Sequence, residues 1–375
     1  MPHVAKMILA GLAGLALGTA PALAGPEVVK AQSENPACFK PWDSNTKMFK
    51  WSAKPGPYRI AIANGFVGNT WRIQMIKTAK AFAEQPDIKP LIKELKVVST
   101  GTDVAAQIGA IDNFINSGYD AIVTIAVNPT AFGPVIRRAN GANVVLVPFD
   151  NVLDSDEVMM VNEDQLEMGR LMGRWLVKNI PAKAGKILEV RGLPGNSVDR
   201  DRHVGFREIM EGSGNKFEII EVVGNWDDGT AQKVVADALA VHKKFDGMFV
   251  QGGSTGAVRA LIDAKHPFIP VSGEAENGFR KLCAQHAKDG LLCASAGQSP
   301  GLVAISMKAA VEALQGKVMP QMISVPIPYV EHPDFKANVN YYPDLTDNFF
   351  TPNEFPPCNV NITATEIMGK SEANN

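Results

Sequence analysis

The sequence predicts an α/β fold of two lobes, each built around a parallel sheet. From Tyr58 onward, short apolar runs alternate with amphipathic runs, as strands and helices do in doubly wound sheets. Four such units precede Asp150 and about six follow it, which is too many strands for one open sheet. The segment 149–158 (FDNVLDSDEV) therefore marks the predicted boundary between the lobes.

The strand-like runs are β-branched and apolar, and they do not alternate strictly between polar and apolar positions. Parallel strands that are covered by helices on both faces have this composition. In chain order the runs are YRIAIA (58–63), LKVVST (95–100), AIVTIAV (121–127), VVLVPFD (144–150), VMMVN (158–162), KILEVRG (186–192), FEIIEVVG (217–224), GMFVQ (247–251), IPVSGE (269–274), LLCASAG (291–297) and MISVPIPYV (322–330).

Amphipathic runs separate these strands and predict the helices. The run 71–85 (WRIQMIKTAKAFAEQ) places its apolar residues on a single stripe. A second run begins at Asp103, a residue that caps helices, and ends at Gly118. A chain that repeats strand and helix in this way winds into parallel sheets through right-handed crossovers.

The composition is that of an ordinary globular protein and excludes some classes of partner. The 375 residues are 46% hydrophobic and 20% charged, with 37 basic and 39 acidic side chains. The formal net charge is -2, and no long block of like charge is present. We therefore expect no binding to nucleic acid or to an anionic membrane surface.

The first 24 residues have the features of a cleavable export signal. Lys6 precedes an apolar run over residues 7–17, and Ala22-Leu23-Ala24 fits a cleavage site. The apolar run is too short to span a bilayer, and a buried helix is the weaker alternative. We expect a mature, soluble chain that begins near Gly25 and is exported.

Export predicts that the four cysteines form disulfides, since disulfides persist in oxidising compartments. Cys283 and Cys293 lie ten residues apart, whereas Cys38 and Cys358 lie in irregular segments near the two ends of the chain. We predict the pairs Cys283–Cys293 and Cys38–Cys358, with four free thiols as the alternative. A metal site is disfavoured, because no C-x-x-C motif or neighbouring histidine supplies the usual ligand spacing.

Polar and aromatic residues follow the predicted strands at their carboxyl ends, where open α/β sheets bind ligands. Together they offer carboxylates, guanidinium groups, amides and an aromatic face. A polyhydroxylated ligand needs such a set, because each buried hydroxyl must be paired. Trp226 and Asp227 also follow a strand, although Asp227 equally fits a helix cap. The predicted ligand-binding residues are Asn64, Phe66, Asn69, Trp71, Asp150, Arg200, Arg202, Gly252, Gly253, Glu274 and Gln298.

The loop after residues 247–251 contains G-x-S-x-G around Ser254, the motif of the nucleophile elbow in serine hydrolases. Such an enzyme needs a downstream histidine at a loop end, and His332 is the one candidate. The loop has a sufficient non-catalytic explanation, because glycines admit a ligand and Ser254 or Thr255 can cap the next helix. We predict a binding protein without catalytic residues, with an exported esterase as the alternative.

Six sequence pieces in order make the chain resemble periplasmic sugar-binding proteins of the ribose/galactose-binding type, the substrate-binding components of ABC importers. The resemblance covers residues 58 to 330. The pieces are IAIANGFVGNTWRIQMIKTA, VTIAVNPTAFGPVIRRAN, VVLVPFD, GNSVDRDRHVGFRE, FDGMFVQGGSTGAVRAL and SAGQSPGLVAISMKAAVEALQG.

The resemblance implies the periplasmic binding protein type I fold, in which two Rossmann-like lobes are joined by a hinge of three crossovers. We place the crossovers near Asp150, Gln298 and residues 321–325. The implied division is a signal peptide (1–24), an N-terminal extension (25–57), an N-terminal lobe (58–149 plus 299–320), a C-terminal lobe (150–298 plus 321–345) and a C-terminal extension (346–375).

The resemblance also assigns individual positions. Asn69 and Trp71 match the family's polar–aromatic pair, and Asp150 matches its acid at the first crossover. Arg200 matches the arginine that opens the R-x-R-x-x-G-F run, Glu274 stands where the family has aspartate, and Gln298 matches a glutamine. Two departures, Gly252-Gly253 for Asn-Asp and Ala131 for an acid, predict extra room for a ligand other than free ribose.

The expected function is capture of a sugar or polyol in the cleft between the lobes, followed by delivery to an ABC permease. The chain is expected to be a monomer without metal or cofactor, and recognition by a chemoreceptor stays open. A furanose signal molecule or a nucleoside is the alternative ligand. A sugar-sensing transcription regulator shares the lobes, but it needs a DNA-binding segment where this chain has an export signal.

Overall fold

The computed structural model describes residues 25–374 of the chain; the predicted signal peptide, residues 1–24, lies outside the described residues. The helices are α1 (Thr70–Ala83), α2 (Val104–Asn116), α3 (Gly133–Gly141), α4 (Gln165–Asn179), α5 (Ser197–Gly212), α6 (Asp228–His242), α7 (Ser254–Asp263), α8 (Asn277–Gln285), α9 (Leu302–Leu314) and α10 (Ala364–Met368). The strands are β1 (Glu27–Val29), β2 (Met48–Lys50), β3 (Tyr58–Asn64), β4 (Ile92–Ser99), β5 (Ala121–Ile125), β6 (Val145–Pro148), β7 (Met160–Asn162), β8 (Ala184–Arg191), β9 (Lys216–Val223), β10 (Gly247–Val250), β11 (Val271–Gly273), β12 (Cys293–Ala296), β13 (Val318–Pro320), β14 (Met322–Ser324), β15 (Tyr329–Glu331), β16 (Glu354–Phe355) and β17 (Val360–Asn361).

Two separate sheets form the cores of two lobes, which confirms the predicted fold class. The first lobe contains a parallel sheet in the order β4-β3-β5-β6. The second lobe contains a sheet in the order β15-β12-β11-β10-β8-β9, parallel except for β15, which runs antiparallel to β12. The strands buried on both faces are those whose sequences lack polar–apolar alternation, as expected for helix-covered sheets.

The chain passes between the lobes in the neighbourhood of the predicted crossovers. Phe149 bridges to Val161 just before Asp150, and β7 pairs in parallel with β14. Residues 297–301 lead from β12 into α9, and α9 packs against β5 and β6 of the first lobe. Parallel pairing of β7 with β14 places two of these connections side by side.

Local signals set the helix ends as the sequence predicts. The Asp103 carboxylate accepts hydrogen bonds from the backbone N–H groups of Ala105 and Ala106, at 2.8 and 3.1 Å, and so begins α2. Gly118, just beyond α2, has a left-handed φ of 72°, which glycine adopts without steric cost. In the described part of the chain, no helix is long and apolar enough to cross a membrane.

The segments outside the two lobes contribute to the core of the first lobe. Strand β2 pairs with β1 and β13, and it brings Phe49 and nearby Trp51 into the interior. From the other end of the chain, Phe349 and Phe350 join the same core. These extensions are therefore part of the packing of the first lobe.

Both predicted disulfides are confirmed. Cys38 pairs with Cys358, with 4.5 Å between their Cα atoms, and Cys283 pairs with Cys293, with 5.9 Å between their Cα atoms. The first bond joins the two terminal segments across 320 positions of sequence. The second bond links α8 to β12 inside the second lobe.

Candidate functional site

A cavity lies between the lobes, where loops at the carboxyl ends of both sheets face each other. The free volume between its walls is about 20 Å³, little more than one water molecule requires, so a larger ligand needs these walls to move apart. Both lobes contribute to its walls, together with the crossovers at Asp150 and Gln298. The lining residues are Asn69, Trp71, Arg72, Asp150, Asn151, Val198, Arg202, Trp226, Glu274, Gln298 and Phe350.

The first turn of α1 forms the wall on the side of the first lobe. The side-chain oxygen of Asn69 accepts a hydrogen bond from the backbone N–H of Arg72 at 3.0 Å, so Asn69 caps the helix. This cap begins the helix one residue before Trp71, whose indole N–H donates to the backbone carbonyl of Gln298 at 2.9 Å. The bond ties the aromatic face to a crossover from the second lobe.

Arg202 is the centre of the opposite wall. Its side chain is 0% exposed and donates to the carboxylate of Glu274 at 2.9 Å and to the side-chain oxygen of Gln298 at 2.6 Å. It also donates to the side chain of Gln165 and to the backbone carbonyl of Gln251. A guanidinium group held by so many acceptors is rigidly placed, with one face toward the cavity.

Of the two arginines predicted to bind the ligand, Arg202 lines the cavity, whereas Arg200 lies outside it. The Arg200 side chain is 47% exposed and pairs with Asp154 and Asp201 at 3.1 and 2.6 Å. Residues two apart on a helix differ by roughly 200° around its axis, so two arginines at this spacing point to opposite sides of α5. The sequence motif contains both residues, but the burial of the helix decides which one faces the cavity.

The remaining predicted residues fall into two groups. Asn69, Trp71, Asp150, Glu274 and Gln298 are brought together with Arg202 around the cavity. Asn64 lies behind it, where its side-chain oxygen accepts from Arg72 at 2.9 Å, and Phe66 is not among the lining residues.

Charges around the cavity balance. Asp150 and Glu274 contribute two carboxylates, and Arg72 and Arg202 contribute two guanidinium groups, so the formal charges sum to zero when all four are ionised. Burial raises the pKa of Asp150 to about 6 and that of Glu274 to about 7, although the nearby arginines oppose this. Burial also lowers the pKa of Arg72 to about 10. A balanced site of this kind suits a neutral ligand better than an ion.

Behind the cavity, the side chain of Glu163 is fully buried. Neither carboxylate oxygen has a hydrogen-bond partner within residues 25–374, and burial raises its pKa well above the ordinary value. The charge of Arg202 opposes this rise in pKa, whereas the charges of Asp150 and Glu274 add to it. The three carboxyl groups therefore share a preference for protonation in the folded state.

These pKa shifts predict a stability that falls as pH rises from about 4 to about 7. A carboxyl group whose pKa is higher in the folded state binds protons there that the unfolded chain has already released. We expect a higher unfolding free energy at pH 5.5 than at pH 7.5, measured by chemical denaturation. Glu274→Gln should reduce this difference, whereas the exposed control Glu218→Gln should leave it unchanged. An identical pH dependence in wild type and Glu274→Gln would contradict the assignment.

Several lining residues escaped the sequence analysis. Arg72 and Asn151 each directly follow a residue that was predicted, namely Trp71 and Asp150. Asn151 is 2% exposed, and neither polar atom of its side chain has a partner in the described part of the chain. A buried amide without partners costs free energy unless a ligand satisfies it. Adjacency to a predicted residue was the available signal for both positions.

Trp226 supplies the second aromatic wall and corrects the expectation of extra room. A Cβ atom added to Gly252 would lie 2.8 Å from Trp226 Cδ1 and 3.1 Å from a Glu274 carboxylate oxygen. The space that Gly252 releases is therefore filled by Trp226 and Glu274. The second departure, Ala131, is not among the lining residues, so it adds no room either.

Gly253 and Ser254 serve the architecture of the loop. Gly253 has a left-handed φ of 77°, and its N–H donates to the Glu276 carboxylate at 2.7 Å. The same carboxylate accepts from Ser254 and Thr255, so it caps α7 in place of the predicted serine or threonine. The buried Ser254 hydroxyl accepts from the backbone N–H of Glu274 at 2.9 Å. Ser254 thus positions a cavity residue.

Comparison with known proteins now decides the family. A family model described as "Periplasmic binding protein domain" matches residues 60–318. The chain belongs to this family. Periplasmic binding proteins bind substrates and do not transform them, which confirms the expectation that the chain is a binding protein and not an esterase.

Individual relatives of this periplasmic binding protein agree with the assignment. It is 22% identical over 299 residues to the ribose import binding protein RbsB of Bacillus subtilis, covering 78% of this chain and 91% of the relative. It is 27% identical over 221 residues to a D-ribose/D-allose-binding protein of Pseudomonas aeruginosa, covering 55% and 67%. Among solved structures, an ABC transporter solute binding protein from Thermobispora bispora is 25% identical with a TM-score of 0.68, covering 74% and 86%.

Proposed function

We propose that this periplasmic binding protein captures a neutral sugar or polyol in the cavity between its lobes and delivers it to an ABC permease. The observation that carries the proposal is the charge-balanced set of donors and acceptors around Arg202, flanked by Trp71 and Trp226. Relatives named for ribose, D-xylose and xylitol binding support the same class of ligand.

The polar groups around the cavity can supply most of the free energy that a micromolar complex needs. A hydrogen bond to a charged group contributes about 1.5–3 kcal/mol, and a micromolar complex needs about 8 kcal/mol. Asp150, Arg202 and Glu274 together can supply most of this energy. The two indole rings can cover the C–H faces of a sugar, while the Asn151 amide gains the partners that it lacks within the protein.

Hinge closure follows from the placement of these groups. Asn69 and Trp71 belong to the first lobe, whereas Arg202 and Glu274 belong to the second lobe. Only a closed arrangement lets both lobes pair with the same hydroxyl groups, so the ligand favours that arrangement by its differential affinity. The closed form is the species that we propose docks on the permease, and a chemoreceptor can read the same form.

We also propose where the chain is located and how it divides into domains. Residues 1–24 act as the signal peptide that sends the chain to the periplasm, where the two disulfides persist. The lobes comprise residues 58–149 plus 299–320 and residues 150–298 plus 321–345, flanked by the extensions 25–57 and 346–375. The mature chain acts as a monomer.

A thermal-shift screen tests the function. We expect D-ribose, D-allose, D-xylose, xylitol or myo-inositol to raise the melting temperature of purified mature protein. A ligand at 100 times its Kd stabilises the native state by about 2.7 kcal/mol. Ribose 5-phosphate serves as the matched charged control and should produce no shift. If only nucleosides raised the melting temperature, the ligand would be a nucleoside and not a sugar. If only ribose 5-phosphate raised it, the proposal of a neutral ligand would be contradicted.

A further inference from the structure

A segment near the C-terminus connects the two lobes beside the cavity. We call residues 342–353 the strap. On the second lobe, the backbone N–H groups of Asn277 and Gly278, at the start of α8, donate to the carbonyls of Phe349 and Asp347 at 2.8 and 2.9 Å. The Asp347 carboxylate also pairs with Arg259 at 2.6 Å and with Lys281 at 3.2 Å. This end of the strap is therefore fixed to the second lobe.

The same strap is fixed to the first lobe through the buried side chain of Gln74 on α1. The Gln74 amide donates to the backbone carbonyl of Phe350 at 3.0 Å and accepts from the Phe350 N–H at 2.9 Å. It also donates to the side chain of Asn353 at 3.1 Å. Beyond the strap, the Cys38–Cys358 bond and the burial of Val360 hold the chain on the first lobe.

Between these two attachments, Phe350 reaches the ligand cavity. It lines the cavity and also an adjoining pocket of about 100 Å³, which Asn69 and Trp226 border as well. Phe350 thus stands in the wall between the cavity and this outer pocket. The backbone at Phe350 forms a bridge with Glu276, a residue of the second lobe, so this part of the chain is held from both lobes.

We propose that the strap completes the ligand cavity with Phe350 and limits how far the lobes can open. Rotation about the crossovers alone would separate α1 from α8, but the strap binds both helices and must release one of them first. The role of Phe350 in ligand binding rests on the proposed function. The limit on opening does not, since it concerns the ligand-free protein.

Two measurements test the two parts of the proposal. Phe350→Ala should weaken binding of the best-binding sugar or polyol among D-ribose, D-allose, D-xylose, xylitol and myo-inositol by about tenfold or more, whereas Val339→Ala, at an exposed position next to the strap, should bind as wild type. If Phe350→Ala does not fold, Phe350→Leu keeps the volume but removes the aromatic ring, and it should still bind more weakly. Wild-type affinity in a folded Phe350 variant would overturn the role of this residue.

Small-angle X-ray scattering of ligand-free protein tests the limit on opening. Gln74→Ala/Asp347→Ala removes contacts at both attachments and should increase the radius of gyration, whereas Asp344→Ala should not. If the double variant does not fold, Asp347→Ala alone should accelerate hydrogen exchange at the Phe350 amide. An unchanged radius or unchanged exchange would overturn the restraint. If wild type binds no member of the sugar panel, the proposed function fails, while the scattering still decides the strap.

Discussion

Arg202→Ala is expected to lower ligand affinity by at least about 100-fold and to destabilise the protein. Removing one partner of a buried charge pair costs about 3–5 kcal/mol, because the other charge is left without compensation. Here the Glu274 carboxylate would lose Arg202, and the Gln298 side chain would lose its donor. Calorimetric titration with the best ligand of the screen measures the affinity, and chemical denaturation measures the stability.

The chain provides a matched control two residues away. Arg200→Ala removes an exposed arginine from the same helix, and exposed ion pairs contribute about 0–1 kcal/mol. We expect it to bind as wild type. Arg202→Lys keeps the charge but loses the planar fork, so it should fold and still bind more weakly than wild type. Equal losses for Arg200→Ala and Arg202→Ala would contradict the assignment of Arg202.

Asp150→Asn is expected to weaken binding by about 10- to 100-fold while preserving the fold, since a charge-assisted hydrogen bond contributes about 1.5–3 kcal/mol. Asp150 has a left-handed φ of 60°, and asparagine adopts this conformation more readily than most residues. Its carboxylate also offsets the charges of Arg72 and Arg202. The variant therefore tests the charge without disturbing the crossover backbone, and titration calorimetry measures the change.

Asp156, an exposed acidic residue six positions after Asp150, provides the control for Asp150→Asn. Asp156→Asn changes an exposed carboxylate that pairs with Lys47, outside the cavity. We expect no change in its affinity. If Asp150→Asn retained the affinity of wild type and of Asp156→Asn, a ligand hydroxyl bound to Asp150 would be contradicted.

The fold could be predicted from the sequence because its strong signals are local. Buried parallel strands need continuous apolar runs, and helix ends need capping residues such as Asp103 or turn residues such as Gly118. Both kinds of signal lie within a few positions of the element that they define. The disulfide between Cys38 and Cys358 could be predicted for a different reason, since export and an even number of cysteines limit the possible pairings.

The candidate site was predicted only in part, because tertiary packing selects which side chains reach the cavity. The motif around α5 offers two arginines, and only burial of one helix face distinguishes Arg202 from Arg200. The room expected beside Gly252 disappeared because Trp226, distant in sequence, occupies it. Phe350 lies in an irregular segment without periodicity, and its place in the cavity wall depends on the path of the strap between Gln74 and α8.

Above all, we propose that groups from both lobes bind one neutral, hydroxyl-rich ligand in the cavity. A crystal structure with the best-binding sugar or polyol tests this claim most directly. We predict ligand hydroxyl oxygens at about 2.6–3.2 Å from the side chains of Asp150, Arg202 and Glu274, with a ring or carbon chain between Trp71 and Trp226. A ligand bound to one lobe alone, or outside this cavity, would contradict the account.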